Sequence, residues 1–386
     1  MKIVHVFHNY YPVVGGLERA VQSLAEELAK TGHEVHVIAS RLGTKNKPRE
    51  EVINGVYVHR VKALRLHFPD LTLPVDLPKR VLKDADLIIC WSQNSYFTYK
   101  ICKYAKEIRK KLVVYFIGVD YLEHHYNALI RVLGSLYQRL ITRKIVNLTD
   151  IALVTNDYER RLLRERYSID AIVLSHGIDE EYLELPNMAD SFKRKYGVEG
   201  NIIAFIGRIH STKGLDLLIK AFVEVAMKMP NTVLVIAGSG DKKYLEKCMK
   251  LAEKLGVKER VKYVGRISEE DKIALIDASD VIVLPTRHAG ESYPLLVNEV
   301  LARGRKLIMT RGSIASKWVE ESGIARVVNA EPRELAQAII DELKLENDSA
   351  KSIRKSVKIL TWRDIAYRLL ELSQQILNER VLAGGR

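Results

Sequence analysis

The run Asn201-Ile202-Ile203-Ala204-Phe205-Ile206-Gly207-Arg208-Ile209-His210-Ser211-Thr212-Lys213-Gly214 decides the fold. Ile202–Phe205 is a short apolar, partly β-branched run, which reads as a buried strand. Gly207 ends it, and Leu215–Met229 then carries its apolar residues at helical spacing. A strand passing through a short loop into a helix is half of a strand–helix–strand unit, and such units build parallel sheets. Downstream the pattern recurs, with strands at Thr232–Ala237, Val261–Val264, Val281–Pro285 and Lys306–Thr310. Helices at Lys242–Leu255, Glu269–Asp277 and Leu295–Arg303 fit between them.

Upstream the same alternation is present. Lys2–Phe7, Glu34–Ala39, Val56–Val61, Asp86–Trp91, Leu112–Phe116, Asp150–Val154 and Ala171–Leu174 read as strands. Leu17–Lys30, Tyr96–Lys110 and Leu129–Asn147 read as helices. Around Glu184–Gly200 the pattern loosens. The expected architecture is therefore α/β, with two Rossmann-like, doubly wound domains at residues 1–184 and 199–361. A helical stretch, Glu331–Asn378, follows, and the chain closes on an Ala383-Gly384-Gly385-Arg386 tail. Ligands of open parallel sheets bind beyond the carboxyl ends of the strands, so a cleft between two such edges is where chemistry is expected.

The size agrees, because 386 residues at roughly 150 per domain give two or three. Apolar residues make up 47% and charged residues 28%, an ordinary globular profile that excludes disorder and collagen-like repetition. The longest apolar run, Leu112–Val119, is strand-sized, and the first residues lack a signal-peptide layout. Cys90, Cys102 and Cys248 have neither disulfide-framework nor zinc spacing. A cytoplasmic protein is expected. Lys plus Arg is 61 against 48 Asp plus Glu, a formal +13, and the stretch Lys100–Thr149 is especially basic. That excess attracts nucleic acid, anionic membranes or phosphorylated ligands alike.

Three motifs carry the chemistry. Val13-Val14-Gly15-Gly16-Leu17-Glu18 joins the first strand to the first helix, where adjacent glycines let backbone amides meet an anion. In the quoted run, Arg208 and Lys213 flank a loop at a strand's carboxyl end, as neutralising a diphosphate without a metal would need. In Ala289-Gly290-Glu291-Ser292-Tyr293-Pro294-Leu295-Leu296-Val297-Asn298-Glu299, Glu291 stands at the entry to a helix and Glu299 about two turns into it. Carboxylates accept hydrogen bonds from sugar hydroxyls, so such a pair suits a polyhydroxylated ligand. Asp84-Ala85-Asp86 has the Asp-x-Asp form of metal-dependent transferases, but it precedes a strand with no nucleotide loop around it and reads as a turn. No metal is assigned.

Taken together these motifs resemble those of the retaining glycosyltransferases of family 4, which have the GT-B fold, over nearly the whole chain. Val173-Leu174-Ser175-His176-Gly177-Ile178-Asp179 resembles the family's domain junction. Thr361-Trp362-Arg363-Asp364-Ile365-Ala366 resembles the start of its last helix. The resemblance implies two Rossmann-like domains facing across a cleft, with a C-terminal helix (362–380) crossing back to the first. The first domain would take the acceptor and the second the nucleotide sugar. It implies that Arg208 and Lys213 hold the donor diphosphate, Glu299 the ribose hydroxyls and Glu291 the transferred sugar. Gly16 would offer its amide to the distal phosphate, and Gly238 and Leu295 would line the donor pocket. Glu291, Arg208 and Lys213 are thus the expected catalytic set, with no cofactor and no metal. Asn9 and Tyr10, in His8-Asn9-Tyr10-Tyr11, and Asp120 would lie on the acceptor side. The sequence departs from the family at Ile117, where Phe116-Ile117-Gly118-Val119-Asp120 lacks the usual acceptor-side histidine, and at Pro294 and Lys306.

The expected partners are a nucleotide-sugar donor and a glycan or lipid-linked acceptor. Leu129–Val146 mixes bulky apolar residues with Arg131, Arg139, Arg143 and Lys144. Such a helix can lie peripherally on the inner face of an anionic membrane, or pack against the core with a solvated basic face. No nucleic acid is expected, since no helix-turn-helix or RNP pattern is present. Two rival readings remain open in sequence: a GT-B sugar-nucleotide epimerase or phosphorylase, and a non-enzymatic protein binding anionic surfaces.

Overall fold

The computed structural model describes the chain except for Val14, Lys45, 66–70, Tyr126, 346–357 and 384–386; over 376–383 it describes the helix but not its side chains. The expected helical stretch at 346–357 and the last residues of the tail fall outside the described residues. The chain divides into two compact units, Met1–Gly177 with Leu360–Arg386, and Ile178–Ile359.

The first unit is built on an eight-stranded sheet. Its strands run across it as Ala171–Val173, Ile151–Val154, Leu112–Phe116, Leu87–Trp91, Lys2–Val6, Glu34–Ser40, Val56–Val61 and Glu50–Ile53. Leu87–Trp91 and Leu112–Phe116 are buried at every residue, as strands covered on both faces must be. Only the edge strand Glu50–Ile53 pairs antiparallel among the described residues of this sheet. It turns back through Asn54 and Gly55, both at positive φ (49° and 83°), the backbone that an Asn-Gly hairpin supplies. A separate antiparallel pair, Ala63–Arg65 with Thr72–Pro74, follows. In this same unit the helix Trp362–Ala383 packs on Gly16–Lys30.

The second unit holds a six-stranded, all-parallel sheet in the order Val261–Gly265, Thr232–Ala237, Asn201–Ile206, Val281–Leu284, Lys306–Thr310, Arg326–Val328. The chain winds outward to one side from Asn201–Ile206, then returns and winds outward to the other from Val281–Leu284. The order reverses between these two strands, and connections leaving their carboxyl ends diverge and open a crevice.

The second unit begins at Ile178, and residues 182–186, between the expected domains 1–184 and 199–361, are tied to it. Tyr182 donates to Glu269 at 2.9 Å. Arg303 donates to the carbonyls of Leu185 (2.8 Å) and Pro186 (2.9 Å) while paired with Asp277 at 2.6 Å. Among the described residues, no helix is long and apolar enough to cross a membrane.

Candidate active site

Two loops leave the reversal point of the second sheet, one after Ile206 and one after Leu284. They are locked together: the Arg287 N–H donates to the Thr212 carbonyl at 2.7 Å. Gly214 has φ +69°, and a Cβ there would fall 1.9 Å from the Pro285 carbonyl oxygen. On the other flank Gly238 has φ +143°, and a Cβ would fall 1.8 Å from the carbonyl oxygen of Gly207. The basic loop is thus wedged between its neighbours at distances that only glycine permits.

Within this frame Lys213 donates to Oε1 of Glu291, with both side chains largely buried. Burial alone would push the Glu291 carboxyl up. The Lys213 ammonium outweighs it and holds the group below the ordinary carboxylate range. Oε2 of Glu291 is buried and receives no hydrogen bond from a described residue. His288 lies in the same field. Burial lowers its imidazole, Glu291 opposes, and Lys213, Arg208 and His210 lower it further, so it is held below the ordinary imidazole value. Arg208 is exposed and makes no hydrogen bond or ion pair with any described residue. Lys213 and Glu291 thus form a pair, with Arg208 in the same electrostatic neighbourhood as His288. That residue stands just before the quoted Ala289–Glu299 motif and has no signal beyond its proximity to Glu291.

Glu299 sits in different surroundings. It is buried in Leu295–Ala302, and its cation is Lys272, 2.7 Å away on the helix Glu269–Ala278. Burial raises the Glu299 carboxyl above its ordinary value; Lys272 offsets part of this, and Glu269 and Asp179 add to the rise. The Lys272 ammonium also lies 5.6 Å from the ring centre of buried Tyr182. Sequence reasoning missed Lys272, since nothing local marks a lysine on one helix as the partner of a glutamate on another. Leu295 opens its helix half-buried, with the N–H of Val297 donating to the Pro294 carbonyl at 3.0 Å. Gly238 donates its N–H to Gly265 at 2.7 Å and accepts from the Tyr263 hydroxyl at 2.9 Å.

In the first unit, Gly16 is the first residue of a helix, and a Cβ on it would meet nothing within 4 Å. A Cβ on Gly15 would lie 2.1 Å from Glu18 Oε2, so the carboxylate of the first helical turn already sits at this helix start. Asn9 donates to the other Glu18 oxygen at 3.1 Å. Tyr10 is corrected from acceptor-side residue to core: it is 1% exposed, whereas Tyr11 is 44% exposed. Asp120 is buried, with φ 54°. Its carboxylate accepts from Arg166 at 2.7 Å and from the Tyr167 hydroxyl at 2.6 Å, so it orients those side chains rather than facing solvent. Ile117 donates its N–H to Gln93 at 2.9 Å, and the amides of Gly118 and Val119 are taken by the fully buried Glu159.

Residues 188–358 match the family described as Glycosyl transferases group 1, and residues 14–182 match Glycosyltransferase Family 4. An uncharacterized glycosyltransferase of Methanocaldococcus jannaschii is 27% identical over 352 residues, 80% of each chain. The GDP-mannose-dependent alpha-(1-6)-phosphatidylinositol monomannoside mannosyltransferase of Mycolicibacterium smegmatis is 23% identical over 95% of this chain and 97% of its own. Among solved structures, Anabaena HepE in complex with UDP superposes with a TM-score of 0.72 at 16% identity, over 97% of this chain and 100% of that one.

Proposed function

This chain belongs to the family 4 glycosyltransferases of GT-B fold, and from that premise we propose that it moves a sugar from a nucleotide-sugar donor to a glycan or lipid-linked acceptor, retaining the anomeric configuration and using no metal. The observation that carries this reading is Arg208, uncommitted, beside the buried Lys213–Glu291 pair at the reversal point of the second sheet.

Transfer breaks the bond from the anomeric carbon to the diphosphate and forms one to an acceptor oxygen, through a centre of oxocarbenium character. The departing diphosphate gathers negative charge. Lys213, held by Glu291, and the exposed Arg208 would meet it, and one preorganised donor is worth about 3 kcal/mol in other enzymes. Glu291, kept ionised by Lys213, has its buried Oε2 available to accept from a sugar hydroxyl. On a same-face pathway the departing phosphate oxygen takes the acceptor's proton, so Ile117 in place of a histidine leaves the reaction without a missing step. The relative from Mycolicibacterium uses GDP-mannose on a phosphatidylinositol mannoside, and HepE binds UDP. These names support a nucleotide donor without choosing its base. They favour a phosphate-bearing lipid acceptor met at the inner membrane face, from the cytoplasm.

Titration with UDP, GDP and ADP in EDTA tests the donor site. One of them should bind, and Arg208→Ala with Lys213→Ala should abolish that binding; unchanged affinity in the double variant overturns the assignment. Conversion of the sugar nucleotide with no acceptor present would put an epimerase in place of the transferase.

A further inference from the structure

The helix Ala128–Val146 presents an apolar face to the outside. Its buried positions are Gly134, Gln138, Ile141, Thr142 and Ile145, and Gln138 and Thr142 are fully buried. Gln138 is satisfied there, since its amide donates to Asn94 and Gly118 and its oxygen accepts from the Leu122 N–H. Five large aliphatic residues point the other way: Leu129, Val132, Leu133, Leu136 and Leu140 are each at least half exposed. Their spacing places all five on one face about three turns long, opposite the buried one. A helix on an ordinary surface shows the reverse pattern.

That face ends in a charged hollow. Arg139 and Arg143, one and two turns along from Leu136, line a cavity of ≈ 340 Å³ with Arg166, Tyr167 and Asp120. Arg139 donates to Glu123 at 3.0 Å and 2.5 Å, and Arg166 donates to Glu123 at 2.9 Å and to Asp120 at 2.7 Å. The Arg143 side chain has no hydrogen bond or ion pair with a described residue. Three guanidiniums thus meet two carboxylates, which leaves one positive charge uncompensated, and it is borne by the exposed Arg143.

We propose that this face docks on an anionic phospholipid bilayer, with the aliphatic stripe in the acyl boundary and a lipid phosphate drawn into the Arg139–Arg143–Arg166 hollow. The proposal rests on the reading of a lipid-linked acceptor and names the surface that meets the lipid. A phosphate oxygen takes the guanidinium fork of Arg143, the planar geometry arginine offers a phosphodiester. Arg143 and Lys144 stand at the rim of the stripe, where cations rest in the headgroup layer while apolar neighbours enter. A second copy of this chain is a poorer occupant, since a two-fold contact on this face would oppose the same cations.

Cosedimentation of the full chain with vesicles tests this, using phosphatidylcholine alone and with phosphatidylglycerol. Binding to the anionic vesicles is expected, and at least tenfold weaker binding to the neutral ones. Leu136→Gln with Leu140→Gln changes exposed residues only and should weaken binding about tenfold or more. Arg143→Ala removes no internal bond and should cost about fivefold, the ~1 kcal/mol that one cation contributes near an anionic surface. Equal binding of neutral and anionic vesicles, or wild-type binding by the leucine variant, overturns the proposal. So does a stripe-dependent dimer in sedimentation velocity, which would make the face a self-association surface. Nucleoside diphosphate titration of the same preparations separates the two readings: failed vesicle binding with intact nucleotide binding sinks the docking face alone, while absent nucleotide binding sinks the donor site.

Discussion

Lys272 and Glu299, on different helices of the second unit, form an ion pair at 2.7 Å. The glutamate assigned to the donor ribose is thus the anionic half of a largely buried pair. A hydroxyl that reaches it adds to an existing interaction rather than meeting a lone carboxylate.

Replacing Lys272 by Met should therefore leave a buried carboxylate without its cation, a change that costs about 3–5 kcal/mol when the charge cannot be relieved. Relief is available through protonation. The folded-state value of Glu299 already lies above its ordinary one. It therefore favours folding at low pH, and that contribution fades as pH rises through the raised value. Lys272→Met pushes the value higher, so the deficit should be small near pH 5 and grow toward pH 8. Urea unfolding at the two pH values checks this, and adding Glu299→Gln should remove the pH dependence.

Arg208 and Lys213 should separate cleanly, although both are expected at the diphosphate. Arg208→Ala deletes an exposed side chain with no hydrogen-bond or ion-pair partner among the described residues and should shift stability by less than about 0.5 kcal/mol while weakening nucleotide affinity. Lys213→Ala should weaken affinity and also destabilise by about 3 kcal/mol, because Glu291 is left buried and unpaired. In the wild type the lowered Glu291 carboxyl contributes stability that is complete above the ordinary carboxylate range. That contribution is lost as pH falls through the lowered value. The Lys213→Ala variant should lack this acid limb in thermal unfolding.

Local signals carried most of the fold. Strands buried on both faces are continuous apolar runs, so Leu87–Trp91 and Leu112–Phe116 were legible in the sequence, as was each loop that leaves a strand for a helix. The edge strand Glu50–Ile53 was missed although Asn54-Gly55, a hairpin turn by composition, stood beside it. One half of that hairpin is too polar for an apolar-run criterion. At the candidate site, Arg208, Lys213 and Glu291 stood out because each lies in a loop leaving the carboxyl end of a strand. Lys272, His288 and Arg166 were not, because what makes them matter is a partner far along the chain. Tyr10 failed for the opposite reason: an aromatic residue in a loop after a strand is as often a plug for the core as a face for a ligand.

Diphosphate binding should draw a proton to His288. Burial, then the cations Lys213, Arg208 and His210 against the pull of Glu291, keep the imidazole below its ordinary value. A dianion bound by Arg208 and Lys213 cancels part of that positive field and raises it. Affinity should therefore increase as pH falls from 8 toward 6, because the bound form holds the proton more tightly than the unbound form. Calorimetry in buffers of different ionisation enthalpy reads the proton directly. His288→Phe should flatten the dependence, and a pH-independent affinity in the wild type would place the diphosphate away from His288.

Two glycines expected at the donor site should respond in opposite ways to the same methyl group. Gly238→Ala forces a Cβ to within 1.8 Å of the Gly207 carbonyl at φ +143°, so the basic loop itself must shift. A loss of about 1–3 kcal/mol is expected, together with loss of nucleotide affinity. At Gly16 a Cβ meets nothing within 4 Å, and alanine suits a first helical residue better than glycine. Gly16→Ala should therefore fold as well as the wild type. If the amide of Gly16 meets the distal phosphate, the added methyl stands where the ligand must approach, and transfer should fall at least tenfold with the melting temperature unchanged. Full activity in a stable Gly16→Ala protein would remove that amide from the reaction and leave Glu18 as the resident anion of the helix start.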